Sequence, residues 1–195
     1  MRPESEIRCI MAYSLKQLDR SMGIYTAGRI VSGNRVPSYK DAYDREDPLR
    51  LTQRVMVRPL MIYLGYRDIF SQEVFDGRVP GVALATVMMN SDLPAAASRV
   101  LCAMNADDAP RGIATDGFRW VLAEKMGNAN RVRRIVDLRP YYIEMLELDR
   151  FRSAYINDSR ILREYTEIFG RKGQESYTDQ HVFRCSEYNG AGKEG

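Results

Sequence analysis

The chain holds a single histidine, His181, and only three cysteines, Cys9, Cys102 and Cys185, spread over 195 residues. An odd, dispersed set with no Cys-x-x-Cys pair excludes a disulfide framework and a zinc cage, and it predicts reduced, buried thiols. One histidine with no serine or cysteine at a recognisable spacing excludes an acid–base triad. Long hydrophobic runs are missing too. The most apolar stretch, Val79 to Met89, falls short of the roughly 18 residues that a bilayer crossing requires. The opening residues are polar and acidic, without the apolar centre of a secretory signal, so a cytoplasmic address is expected by default. A Gly-x4-Gly-Lys-Ser/Thr phosphate loop is absent, which excludes a P-loop motor.

What is present is an ordinary globular composition, with 45% hydrophobic and 28% charged residues, enough for one core with appendages. A formal charge of +3 is compatible with nucleic-acid binding and does not demand it. Ile7, Ile10, Met11, Leu15 and Leu18 recur at helical spacing, predicting an amphipathic helix over 4–22 that needs a partner surface. From Gly23 to Pro48 the periodicity is lost apart from a β-prone piece at Arg29 to Val31, and a connecting loop is expected. Leu51 to Leu64 carries a helical face stopped by Gly65, but Pro59 inside it predicts a kink or split near Val55 to Val57.

Tyr66 to Phe75, Val79 to Met89, Gly112 to Glu124 and Asn130 to Leu138 read as strands, with turn signals at Asp76-Gly77 and Asp116-Gly117. In the last of these, Val132, Arg134 and Val136 alternate with Arg131, Arg133 and Ile135. Leu93 to Met104 predicts a helix capped by Ser91 or Asp92, with Pro94 in its first turn, and Tyr141 to Phe151 and Asp158 to Phe169 predict two more. The order argues for an α/β sandwich, a mixed sheet flanked by helices. Three regions follow: an N-terminal helix and loop over 1–48, a core domain over 49–171, and a polar, glycine-rich tail over 172–195.

Three pieces in this order carry a likeness: Thr52-Gln53-Arg54 with the helix ending Leu64-Gly65-Tyr66, the strand Val79-Pro80-Gly81-Val82-Ala83-Leu84, and the hairpin running from Gly112 through Thr115-Asp116-Gly117 to Trp120. Together they resemble the N-terminal, PD-(D/E)xK nuclease-like domain of type I restriction enzyme R subunits, over the middle two thirds of the chain. The resemblance implies a restriction-endonuclease-like fold with an N-terminal helical extension. In that family a helix Glu, a strand Asp and a Glu-x-Lys pair surround one magnesium ion, because Mg²⁺ prefers carboxylate and water oxygens.

Here those positions hold Gln53, Gly81, and Met88 and Asn90 around Met89, and no acidic residue lies anywhere in Val82 to Ser91. The resemblance therefore implies a pseudoenzyme with no catalytic residue, no metal and no cofactor. A working Mg²⁺-dependent nuclease would need ligands relocated to Glu73, Asp76, Asp92 or Glu124, yet Glu124 and Lys125 are adjacent and should point to opposite faces of a strand.

The densest basic cluster, Arg131, Arg133, Arg134 and Arg139 with Arg150 and Arg152 beyond it, surrounds Tyr141 and Tyr142. With Arg99, where the family usually has a helix glutamine, it supplies candidate DNA or RNA contacts. The plainer reading is a charged surface interleaved with Glu144, Glu147 and Asp149. Phe118 and Trp120 are expected in the core. Three functions remain open: an inactive nuclease-like protein binding nucleic acid or a restriction or defence partner, an active nuclease with relocated carboxylates, or an oligomerisation module with the first helix across a homodimer interface.

Overall fold

The structure is a computed structural model and describes residues 3–34, 47–66, 78–79, 81–147 and 160–170. A strand expected over Tyr66 to Phe75 lies, after Tyr66, outside the described residues, as do Glu73, Asp76, Arg150, Arg152, His181, Cys185 and the 172–195 tail.

Helix α1 (Pro3–Met22) sets Ile7, Met11, Leu15 and Leu18 along one fully buried stripe. The segment expected as a loop instead forms a second helix, α2 (Ile24–Val31). Gly23, at φ 77, turns the chain back so that α2 packs on α1 with Ala27, Ile30 and Val31 inward, an i, i+3, i+4 set. Ile30 and Val31 are β-prone alone, but burial against a neighbouring helix outweighs that preference.

Helix α3 (Pro48–Leu51) starts at Asp47, whose carboxylate accepts from Leu49 N at 3.1 Å. It runs into a π-helical segment, Thr52–Val57, and then α4 (Arg58–Tyr63). The interruption expected from Pro59 takes this form. Proline has no N–H to donate, and the chain widens by one residue ahead of it, with Arg58 N reaching back to Gln53 O. The helix ends as expected at Gly65, φ 93, with Tyr66 N on Met61 O at 3.0 Å and Gly65 N on Ile62 O at 3.1 Å, a Schellman closure.

The sheet runs in the order β1-β2-β3-β4-β5, with β1 (Arg78–Val79), β2 (Val82–Thr86), β3 (Arg111–Thr115), β4 (Arg119–Met126) and β5 (Ala129–Asp137). The single strand expected over Val79 to Met89 is thus two antiparallel pieces turning near Gly81, φ 75. Gly112 to Glu124 is likewise a hairpin, β3–β4, folded at Asp116-Gly117-Phe118. β2 and β3 are parallel and joined by α5 (Leu93–Ala106), capped by Asp92 with Pro94 in the first turn. Helices α6 (Arg139–Glu147) and α7 (Arg160–Phe169) complete an α/β architecture, a mixed sheet flanked by helices.

Each sheet face has its own cluster. Ala83, Ala114, Val121 and Ala123 meet Leu93, Ala96, Val100 and Met104 of α5. Small residues let that helix come close, and at Gly112 even a methyl would lie 2.2 Å from Val100 Cγ1 and 2.6 Å from Met104 Sδ. On the other face Val82, Ile113, Trp120, Leu122 and Val136 join the apolar stripes of α1, α2, α4, α6 and α7. Phe118 and Trp120 are core residues, Trp120 standing edge-on to Tyr165 and Phe169. The stripe of α1 is therefore covered by its own chain and offers no apolar face to a second copy.

Candidate functional site

The carboxyl ends of β2 and β3 meet the π-helical segment, close to Gln53, Met88 and Asn90. After β2, Val87 N still pairs with Thr115 O at 3.0 Å, and then Met88, Met89 and Asn90 turn toward α5. Met89 is buried, and its N–H donates at 3.1 Å to Thr52 Oγ1, which itself donates to Pro48 O at 2.8 Å. Asn90, in the left-handed region at φ 63, spends its whole amide on the protein. Its Nδ2 donates to Ile30 O at 2.8 Å and to Asn34 O, and its Oδ1 accepts from Arg139 Nη2 at 2.6 Å. Arg139 also lies 4.9 Å over the Phe118 ring.

Next to this knot lies a carboxylate that reading the sequence treated only as a turn signal. Asp116 is fully buried. Its Oδ1 accepts from Phe118 N at 3.1 Å and Arg119 N at 2.7 Å, while Oδ2 accepts from Arg119 Nε at 2.9 Å and Arg119 Nη2 at 2.5 Å. Arg119 Nη2 donates also to Ser91 O at 3.0 Å, tying the hairpin to the turn after β2. Thr115 Oγ1 accepts from Gly117 N at 2.9 Å, and Trp120 Nε1 donates to Gly117 O at 3.3 Å. Gly117, at φ 89, leaves no room for a side chain, since a Cβ would lie 2.6 Å from Met56 Cβ. The Thr-Asp-Gly-x-x-Trp wording is thus a self-bonded turn locked against the π-helical segment. The signal that could have revealed this was the arginine three residues after the aspartate.

The aligned positions do not converge. Gln53 is on the π-helical segment and adjoins Thr52, which touches Met89, whereas Gly81 lies at the far end of β2 from Met88 and Asn90. At about 3.3 Å per residue, the seven steps from Gly81 to Met88 span on the order of 20 Å. Magnesium does not fit what stands there: a glycine, thioethers, and an amide whose oxygen already accepts from a cation. Among the described residues no three His, Cys, Asp or Glu side chains come together as ligands.

Of the relocated candidates, the two among the described residues, Asp92 and Glu124, are likewise engaged. Asp92 caps α5 through Ala95 N at 3.2 Å. Glu124 sits between Arg111 Nε at 3.7 Å and Arg133 Nε at 3.4 Å, while Lys125 turns to Asp108, so the two neighbours point apart as expected.

No family model, curated protein or solved structure matches the chain.

The candidate nucleic-acid arginines are separated. Arg99 is exposed on α5, the layer opposite α1, and Arg139 is held in the Asn90 knot. Only Arg131, Arg133 and Arg134 stay together, on β5. Their arrangement differs from simple alternation because a bulge interrupts the β4–β5 register between Leu122 and Ala123, so that Arg134 pairs with Leu122, Val132 with Ala123 and Arg131 with Glu124. Arg131 and Arg134 thereby share the face of Leu122 and Glu124, and Arg133 reaches Glu124 from the bulge, while Val132 and Ile135 point to the α5 side. Arg134 pairs with Glu164 of α7.

The thiols also depart from expectation, with Cys9 half-buried and Cys102 exposed. Cys102 falls off the inward stripe of α5, which Leu93, Ala96, Val100 and Met104 occupy. Among the described residues no helix is long and apolar enough to cross a membrane.

Proposed function

We propose that the protein is a catalytically inactive, restriction-endonuclease-like scaffold that works by binding a protein partner, of the restriction or defence kind that the sequence resemblance suggests. One observation carries this reading: the strand end where a nuclease would hold its metal is filled by the Asn90–Arg139 and Asp116–Arg119 bonds, while among the described residues nothing pairs with the outer edge of β5. A buried carboxylate with four donors already on it has little to offer an incoming cation. Nucleic-acid binding is the weaker form, because a phosphate backbone would leave the exposed Val132 and Ile135 of β5 uncovered.

The test is to incubate the full chain with single- and double-stranded DNA and RNA in Mg²⁺ or Mn²⁺, followed by gel shifts from low to physiological salt. No cleavage and no salt-sensitive shift are expected. Cleavage abolished by Glu124→Ala would establish a relocated active site instead, and a steeply salt-dependent shift would move the function to nucleic acid.

A further inference from the structure

We propose that β5 is a receptor strand that takes an acidic, extended segment of a partner protein as a sixth strand of the sheet. The inference rests on the binding reading above and names the partner's chemistry.

β5 is the last strand in the order, nine residues long, and among the described residues β4 is its one sheet neighbour. Among the described residues, none is hydrogen-bonded along its outer side. Every β5 residue except Asn130 and Val136 is exposed, including the apolar Val132 at 42% and Ile135 at 61%. A long edge with free N–H and C=O groups is a template for strand addition, and proteins usually blunt it by shortening, proline, charged side chains, a bulge or a covering element. Among the described residues this edge has neither proline nor a covering element. Its devices are a bulge and three arginines, which repel a basic or identical strand and leave an acidic one admissible.

The arginines decide which strand fits. A second copy pairing edge to edge would bring six arginines into one ribbon, and like charges across a pair are unfavourable. A nucleic acid would leave Val132 and Ile135 facing water and the backbone edge unbonded. An incoming protein strand satisfies all three features at once. Its backbone completes the ladder, and its side chains alternate with period two. One set, acidic, meets Arg131, Arg133 and Arg134. The other set, apolar, covers Val132 and Ile135 on the α5 side. The bulge matters because it brings Arg133 and Arg134 to the same side. Glu124 and Glu164 engage two of the guanidinium groups, whereas Arg131 has no ion pair among the described residues and is the cation most open to an acidic partner.

The experiment uses the full chain and two labelled nine-residue peptides, one alternating Glu with Val and one alternating Lys with Val, followed by fluorescence anisotropy and backbone hydrogen exchange. The Glu peptide should bind at least about tenfold more tightly than the Lys peptide and slow exchange at β5 amides. Arg131→Glu/Arg133→Glu should reverse the order of the two peptides. If that double variant melts early, Arg131→Glu alone, which breaks no ion pair among the described residues, should still narrow the preference. Equal binding, no slowing at β5, or an unchanged preference in a folded variant overturns the proposal. So does an oligonucleotide that protects β5 and is lost in the variant. Metal-dependent cleavage would instead sink the non-catalytic reading while leaving the peptide result standing, so the two failures are distinguishable.

Discussion

Asn90 Oδ1 accepts a hydrogen bond from Arg139 Nη2 at 2.6 Å, joining the turn after β2 to the first residue of α6. Asn90 and Arg139, an arginine expected on nucleic acid, are spent on each other. Asn90→Ala and Arg139→Ala should each lower stability by about 1–3 kcal/mol, the usual loss for a hydrogen bond to a charged group. A double-mutant cycle by urea unfolding should show that the two losses do not add. Additive losses would mean that the bond contributes nothing.

Gly117 is required twice over, by its φ of 89 and by Met56 Cβ standing 2.6 Å from where a side chain would begin. Gly117→Ala should cost about 2–4 kcal/mol, from backbone strain and overpacking together. Differential scanning calorimetry reads this directly, and an unchanged melting temperature would refute the locked-turn description.

Gly112→Ala forces its methyl against Val100 and Met104 and should push α5 off the sheet, at about 1–3 kcal/mol. Val100→Ala in the same chain should recover part of the loss, because it removes the atom met first. Chemical unfolding of the single and double variants checks this.

Much of this fold was legible in the chain. The stripe Ile7, Met11, Leu15, Leu18 announced α1, Gly65 the end of α4, and Asp92 with Pro94 the start of α5. The misses share a cause. Ile30 and Val31 are helical because α1 is beside them, and the split of β1 from β2 depends on a turn at Gly81 inside an apolar run. Arg134 and Val136 share a face as alternation implies, but the sides of Val132 and Arg131 depend on a bulge that alternation cannot reveal. At the candidate site, the lack of any acidic residue from Val82 to Ser91 was plain in the sequence. That Gly81 and Asn90 stand at opposite ends of one strand was not, since it required knowing how far β2 extends.

Tyr142 and Tyr165 are fully buried, and burial pushes both hydroxyls well above the ordinary tyrosine value of 10.0. Ser14 adjoins the Tyr142 hydroxyl and eases its shift, although neither group reaches hydrogen-bonding geometry. The unfolded chain releases these protons first as pH rises. Stability should therefore be complete below about pH 10 and fall above it, with the tyrosinate absorbance of these two residues emerging, after that of exposed tyrosines such as Tyr25, together with loss of structure. Tyr142→Phe should shift that transition upward without destabilising the protein at neutral pH. Early titration of all tyrosines with the fold intact would contradict the buried assignment.

Manganese titration followed by NMR tests the closed strand end most directly, because a bound paramagnetic ion broadens only the signals around it. Uniform, weak broadening over exposed carboxylates is expected, with Met88 to Asn90 and Asp116 to Arg119 unaffected at millimolar metal. Selective loss of those signals at low metal, accompanied by phosphodiester cleavage, would mean that a catalytic ion binds where Asn90, Arg139, Asp116 and Arg119 are described as bonded to one another.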